Sequence, residues 1–347
     1  MARSIQRARR AGPVGPEGKR AGPVGPEVEE TAMVEVPSYD ELPPAPEGGR
    51  SGWGLFGAED NVGLLNLLTP ERVVAAARLV RKGALFPLDA PIDAFVPPVA
   101  AGRGAPRHHV LHTPGAIGFD DVYDNFYPQG SSQWDSLGHV GYTPDAFYNG
   151  ASEDDVATGR RNGIEHWARQ GIAGRAVVLD MVRTFADEGR TLDPFSPTGF
   201  DVDDLERARR RSGLEYRTGD ILVVHTGFVA QYLRRPARER ARIARAGRSA
   251  GIASGEEMCR YLWNAHVAAV ASDTFAVETF PPDRSAATGF LHRILIGQFG
   301  MALGELWWTE DLAADCAADG VYEAFLTSAP LHAPGAIGSP PNAVAIK

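Results

Sequence analysis

The sequence predicts an α/β domain built from mixed strands and short helices. Two apolar runs bounded by turn residues, 175–180 (RAVVLD) and 218–227 (TGDILVVHTG), read as buried strands. Segments with helical spacing, 73–81 and 202–211, lie before and between them. The 39 Gly and 26 Pro among 347 residues interrupt the pattern often enough to keep each element short.

Taken in order, residues 1–50 read as a disordered, Gly/Pro-rich arm. RAGPVGPE at 10–17 recurs at 20–27, and this density of Gly and Pro sustains neither helix nor strand. Residues 51–347 are expected to form a single folded domain, with Tyr39 or Leu42 packing back on it. Thr69 is a natural N-cap and Pro70 suits the first helical position, while Gly83 ends that helix. The run 85–93 reads as a strand and turn, and 94–106 as a Pro/Gly-rich connection. His108, His109 and His112 follow on a short strand, with His112 as a pocket residue. Phe126 and Tyr127 offer aromatic walls. A short helix is expected at 164–169 and a charged one at 202–211. Asp180 reads as a turn cap, and His225 as a hydrogen-bonded core histidine. Residues 231–248 form a basic stretch that suits a lid or an oligomer arm. A capped helix at 258–264 and a strand at 267–278 lead to the last third of the chain.

Composition narrows the function. A hydrophobic content of 44% supplies a large core. A net charge of -9 argues against a general nucleic-acid binder. No apolar run is long enough to span a membrane, and the basic start lacks the apolar segment of a secretory signal. The two cysteines, Cys259 and Cys316, fit reduced thiols in a cytoplasmic protein rather than a disulfide scaffold.

Chemistry concentrates in 128–140, PQGSSQWDSLGHV. Gln133 and Asp135 stand two apart, on one face of an extended strand. Gln129 precedes Gln133 by four, and His139 follows Asp135 by four. Oxygen-rich groups with one imidazole suit a hard or borderline cation beside a general base; a polar loop with capping side chains is the plainer alternative. The segment resembles the signature of the cyclase family of metal hydrolases, to which kynurenine formamidases and isatin hydrolases belong. The family pattern H-x-x-x-H-x-D-x-x-x-H reads here as Gln129, Gln133, Asp135 and His139. Neutral amides are weaker ligands than imidazoles, so these two glutamines lower the expectation from two metals to one weakly held ion. Further resemblance lies in GLFGAEDNVGLLNLLTP, in 171–180, in the segment ending at Glu278, in FLHRILIGQFGMALGELW with His292 and Glu305, and in APLHAPGAIGSPPNAVAI. It covers roughly 53–347.

The resemblance implies a curled mixed β-sheet with outer helices, paired as a homodimer. It implies a divalent ion, Mn2+ or Zn2+, on Gln133, Asp135, Glu305 and His292. His139 is then the general base, with Glu305 and His292 also in catalytic positions. Phe126, Gln129, Trp134, Tyr142 and His112 would contact a small cyclic or aromatic substrate. The implied reaction is hydrolysis of an amide, formamide or lactone. The two glutamines keep open a metal-free cyclase or dehydratase, and a non-catalytic binding protein.

Overall fold

A sheet of nine strands forms the spine of the molecule. The computed structural model describes residues 34–347 except 101, 114 and 116, so the repeat at 10–27 lies outside the described residues. Residues Val36–Lys347 form one compact unit. The strands are β1 (Leu85–Pro87), β2 (Arg107–His112), β3 (Phe119–Asp124), β4 (Gln133–Asp135), β5 (Ile172–Asp180), β6 (Gly199–Phe200) and β7 (Ile221–His225). They continue as β8 (Gly251–Ile252), β9 (Ala269–Ser272), β10 (Ala302–Glu305), β11 (Glu323–Ser328), β12 (Gly338–Ser339) and β13 (Ala343–Ile346). The main sheet has the order β1-β13-β11-β5-β7-β9-β10-β4-β12. Strands β5, β7, β9 and β10 run parallel to their neighbours within that group, and the flanking pairs are antiparallel. The fold is α/β: a curled mixed sheet flanked by helices.

The parallel centre explains the apolar runs. Strands covered on both faces lose the apolar–polar alternation, and every residue of β7 and β9 is buried. Helices cover the faces: α1 (Pro70–Ala77), α2 (Glu153–Ala157), α3 (Glu165–Gln170), α4 (Met181–Asp187) and α5 (Val202–Ser212). They are followed by α6 (Phe228–Leu233), α7 (Ala237–Ala246), α8 (Glu256–Asn264), α9 (Leu291–Leu295) and α10 (Glu310–Asp319). Local chemistry sets their ends. Asp201 accepts the Asp204 amide at 2.8 Å at the start of α5, and Gly213 closes it in the left-handed region. The basic stretch expected at 231–248 is largely helical, in α6 and α7. Tyr39 and Leu42 are both buried, so chain before residue 51 joins the core.

Two local features place the functional residues. In β4, Trp134 points away from Gln133 and Asp135, as the two-residue period of a strand requires. It pairs with Gly304 of β10, where a Cβ would come within 2.8 Å of the Trp307 ring. The missing side chain lets Trp307 pack edge-on to Trp134, ring centres 4.8 Å apart. The opposite face of the same strand pair is left to the polar groups. Strands β2 and β3 instead form a separate hairpin whose residues are all exposed.

Candidate active site

The site begins with strand register. Glu305, the last residue of β10, lies opposite Gln133, and Asp135 lies opposite Leu303, which puts the three polar side chains on one face. Helix α9 brings His292 to them. His292 Nε2 is 3.0 Å from Glu305 Oε1 and 3.9 Å from Asp135 Oδ2. On its other side Nδ1 is 2.6 Å from Glu278 Oε2. One atom from each of Asp135, His292 and Glu305 falls within a 4.8 Å cluster, and all three residues are buried. His139 stands beside them, Nε2 3.7 Å from Asp135 Oδ1, with 24% of its side chain exposed.

Burial sets the electrostatics. Desolvation followed by the charge of Asp135 pushes the Glu305 carboxyl up to about 7. For His292, burial works to lower the imidazole, but Glu278 and then Glu305 outweigh it and raise it well above its ordinary value. His139 shifts the other way: burial lowers it, assisted by His292 and Arg103 against Asp135. A lowered imidazole is neutral near pH 7, the state a general base needs.

Gln133 departs from the ligand expected of it. Its amide oxygen accepts Arg103 Nη1 at 3.1 Å, and its nitrogen donates to Glu305 Oε2 and lies 3.4 Å from Asp135 Oδ1. It turns a donor, not a ligating oxygen, toward the carboxylates. Gln129 packs its amide against Gly338, and its backbone carbonyl accepts Arg103. Arg103, in the Pro/Gly-rich connection, therefore clasps both glutamines, and no periodicity marked it in the sequence.

The residues open onto a cavity of about 590 Å³, whose lining includes Arg103, His139, His292 and Glu305. Val99, Phe275, Phe280 and Phe290 supply apolar wall. Four expected substrate contacts lie elsewhere. Trp134 is fully buried, its Nε1 bonded to Ser328 Oγ at 2.9 Å, because it projects from the opposite face of β4. Tyr142 is also core, and its hydroxyl is held by the Glu47 amide at 2.7 Å and by the Gly48 carbonyl. His112 is on the exposed hairpin, edge-on to Phe119. Phe126 lines a separate cavity of about 350 Å³ with Tyr127 and Ser132. Glu278 is the contact that sequence reasoning left at the pocket rim: it is fully buried and touches His292 directly.

The donor set fits a divalent cation. Asp135 Oδ2 is buried without a hydrogen-bond partner, an arrangement a cation would complete. Two carboxylates and an imidazole are hard and borderline donors. The Glu278 contact is the carboxylate–histidine support common behind metal-bound imidazoles.

A family model described as "Putative cyclase" matches residues 87–279. A crystal structure described as a novel cyclase is 36% identical, covering 86% of this chain and 99% of its own, with a TM-score of 0.76. This chain belongs to the cyclase family. The family match includes 129–139 and Glu278, and the similar cyclase structure extends the likeness along most of the chain. Isatin hydrolase A from Labrenzia aggregata bound to benzyl benzoate shares the fold at 15% identity, covering 79% of this chain and 97% of its own, with a TM-score of 0.51. An isatin hydrolase bound to the product analogue thioisatinate does so at 13% identity, covering 80% of this chain and 98% of its own, with a TM-score of 0.54. No curated protein matches the chain. Among the described residues no helix is long and apolar enough to cross a membrane.

Proposed function

We propose that this cyclase-family protein is a metal-dependent hydrolase that cleaves the C–N or C–O bond of a small cyclic or aryl amide, formamide or lactone. The observation that carries the reading is the convergence of Asp135, His292 and Glu305, with an unpartnered Asp135 oxygen, at a cavity that His139 also lines. The isatin hydrolase likeness in fold supports the substrate class.

Asp135, His292 and Glu305 would hold the ion, and Glu278 would fix the His292 ring. A cation held there supplies Lewis acidity toward a carbonyl and lowers the pKa of a water. Two carboxylates favour Mn2+, and the single imidazole admits Zn2+. His139 takes a proton from the attacking water as its oxygen bonds to the carbonyl carbon. When the bond to the leaving nitrogen or oxygen breaks, His139 returns the proton to that atom. Arg103 keeps Gln133 aimed at Glu305, which holds the carboxylate in place without adding negative charge.

Metal analysis of the purified protein, with turnover of aryl formamides, isatin-like lactams and small lactones, tests the reading. Bound Mn2+ or Zn2+ with ring opening or deformylation is expected. His139→Ala should lower kcat by about 10²–10⁴-fold with unchanged circular dichroism.

The second reading is a metal-free cyclase or dehydratase, favoured by the Gln133–Arg103 contact at a position where the family carries an imidazole. Ring closure or water loss in chelator-treated protein would select it. We also propose a homodimer, because the β2–β3 hairpin exposes Val110, Leu111, Phe119 and Val122. The cytosol is the proposed compartment, since Cys259 and Cys316 are both buried, unpaired thiols.

A further inference from the structure

Three carboxylates meet at the site: Asp135, Glu305 and, through its bond to His292, Glu278. All three are buried, and among the described residues none has a lysine or arginine as an ion-pair partner. A divalent ion on Asp135, His292 and Glu305 offsets two of these charges and leaves the third. Hydrolysis adds another, because attack by water turns the carbonyl oxygen into an oxyanion. An excess of one sign is costly among buried groups. The reaction therefore calls for a further cation, held in place before the oxyanion forms.

Arg103 has the properties of that cation. It lines the same cavity as His139, His292 and Glu305. Its Nη1 donates to the Gln129 carbonyl and to Gln133 Oε1, and the Gln133 amide nitrogen donates in turn to Glu305. Both acceptors of Nη1 are neutral, so these bonds leave the guanidinium charge uncompensated. Nε and Nη2 have no hydrogen bond among the described residues, which leaves N–H donors of the planar fork for a ligand. The charge is near enough to lower both His139 and Glu305. Holding Nη1 orients the group in advance, so little side-chain freedom remains to be lost when an oxygen arrives. Arg245 also lines the cavity, but among the described residues no hydrogen bond or ion pair anchors it.

We infer that Arg103 binds an anionic oxygen of the reacting group: first the oxyanion formed at the attacked carbonyl, then the carboxylate or formate that cleavage leaves. No bond to Arg103 forms or breaks. It donates N–H hydrogen bonds that strengthen as the oxygen gains charge, which is what lowers a barrier. The oxyanion role deepens the hydrolase reading and rests on it; the affinity for a carboxylate does not.

The test separates this role from that of a strut for Gln133. Calorimetry on Zn2+-loaded protein compares benzoate with the neutral acetophenone, and chelator competition measures Zn2+ affinity. Arg103→Met should weaken benzoate by about 10–100-fold, the range of one charged hydrogen bond, and leave acetophenone unchanged. Zn2+ affinity should stay the same or tighten, since a positive charge has gone from beside the ion. With formanilide as substrate, kcat should fall by about 10²–10³-fold and KM should change far less. Guanidinium chloride added to Arg103→Ala should restore part of kcat, and sodium chloride at the same concentration should not. Circular dichroism checks the fold; if Arg103→Met does not fold, Arg103→Lys decides by the same comparison, keeping only part of the benzoate affinity because it lacks the fork. The assignment is overturned if wild type does not bind benzoate, if Arg103→Met binds it equally well, or if Zn2+ affinity falls together with benzoate affinity, the mark of a strut. Failure of the loaded wild type to hydrolyse formanilide, isatin-like lactams and small lactones counts against the hydrolase reading instead, and leaves the benzoate comparison to decide Arg103.

Discussion

Glu278 acts on the site through one hydrogen bond, to His292 Nδ1 at 2.6 Å. It fixes which nitrogen faces the carboxylates and keeps the ring basic. Glu278→Gln retains the shape and loses the charge, and should weaken Mn2+ or Zn2+ binding by about 10–100-fold. Chelator competition measures this, with an unchanged circular dichroism spectrum of the metal-free protein as the control; its melting temperature should fall, because the buried His292 loses its charged partner. At this scale the sequence was legible in part. The spacing of Gln133 and Asp135 implied a shared strand face, and β4 has it. The same period places Trp134 on the other face, so its reading as a substrate contact neglected a rule already in use for its neighbours. Tyr142 was misplaced for a different reason: nearness in sequence to His139 says nothing about which way a loop side chain turns. His292 and Glu305 reach Asp135 through register and a helix start, which no local spacing encodes.

At the scale of elements, the end of the sheet depends on an ion-pair cluster. Lys347, just beyond β13, is buried, with Nζ 2.8 Å from Asp315 and 2.9 Å from Asp319 on α10, and Lys82 joins both carboxylates. Burial works to raise Asp319, but the hydrogen bonds from Lys82 and Lys347 outweigh it and hold the carboxyl well below its usual range. Asp315 is lowered by the same two lysines, Lys347 first. A depressed folded-state pKa means the unfolded chain binds protons first on acidification. The stabilisation is therefore complete above the ordinary aspartate value of about 4 and is lost as pH falls below it. Thermal melts between pH 6 and 2 check this: Asp319→Asn should start with a lower melting temperature and lose less of it on acidification. Strand existence was readable here, since 175–180 and 218–227 contain most of β5 and β7. Strand order was not, because the pairing of β11 with β5 joins residues far apart in the chain.

For the molecule as a whole, the hairpin of β2 and β3 is the outlying feature. A two-stranded hairpin with both faces wet is marginal in water, yet this one exposes 72% of Phe119 and 62% of Val110. A second copy would cover it. Sedimentation should find a dimer, and the double substitution Val110→Ser with Phe119→Ser should shift it to monomer at micromolar concentration. A monomeric wild type would remove the proposal.

The hairpin is rooted at both ends in the site's own scaffold. Residues 103–107 lead from Arg103 into β2, and residues 124–133 lead from β3 to Gln129 and Gln133, the two partners of Arg103. The ribbon therefore joins directly the segments that carry Arg103 and its two glutamine partners. If the proposed dimer forms through this hairpin, its dissociation on dilution should slow each protomer, so that specific activity falls with enzyme concentration.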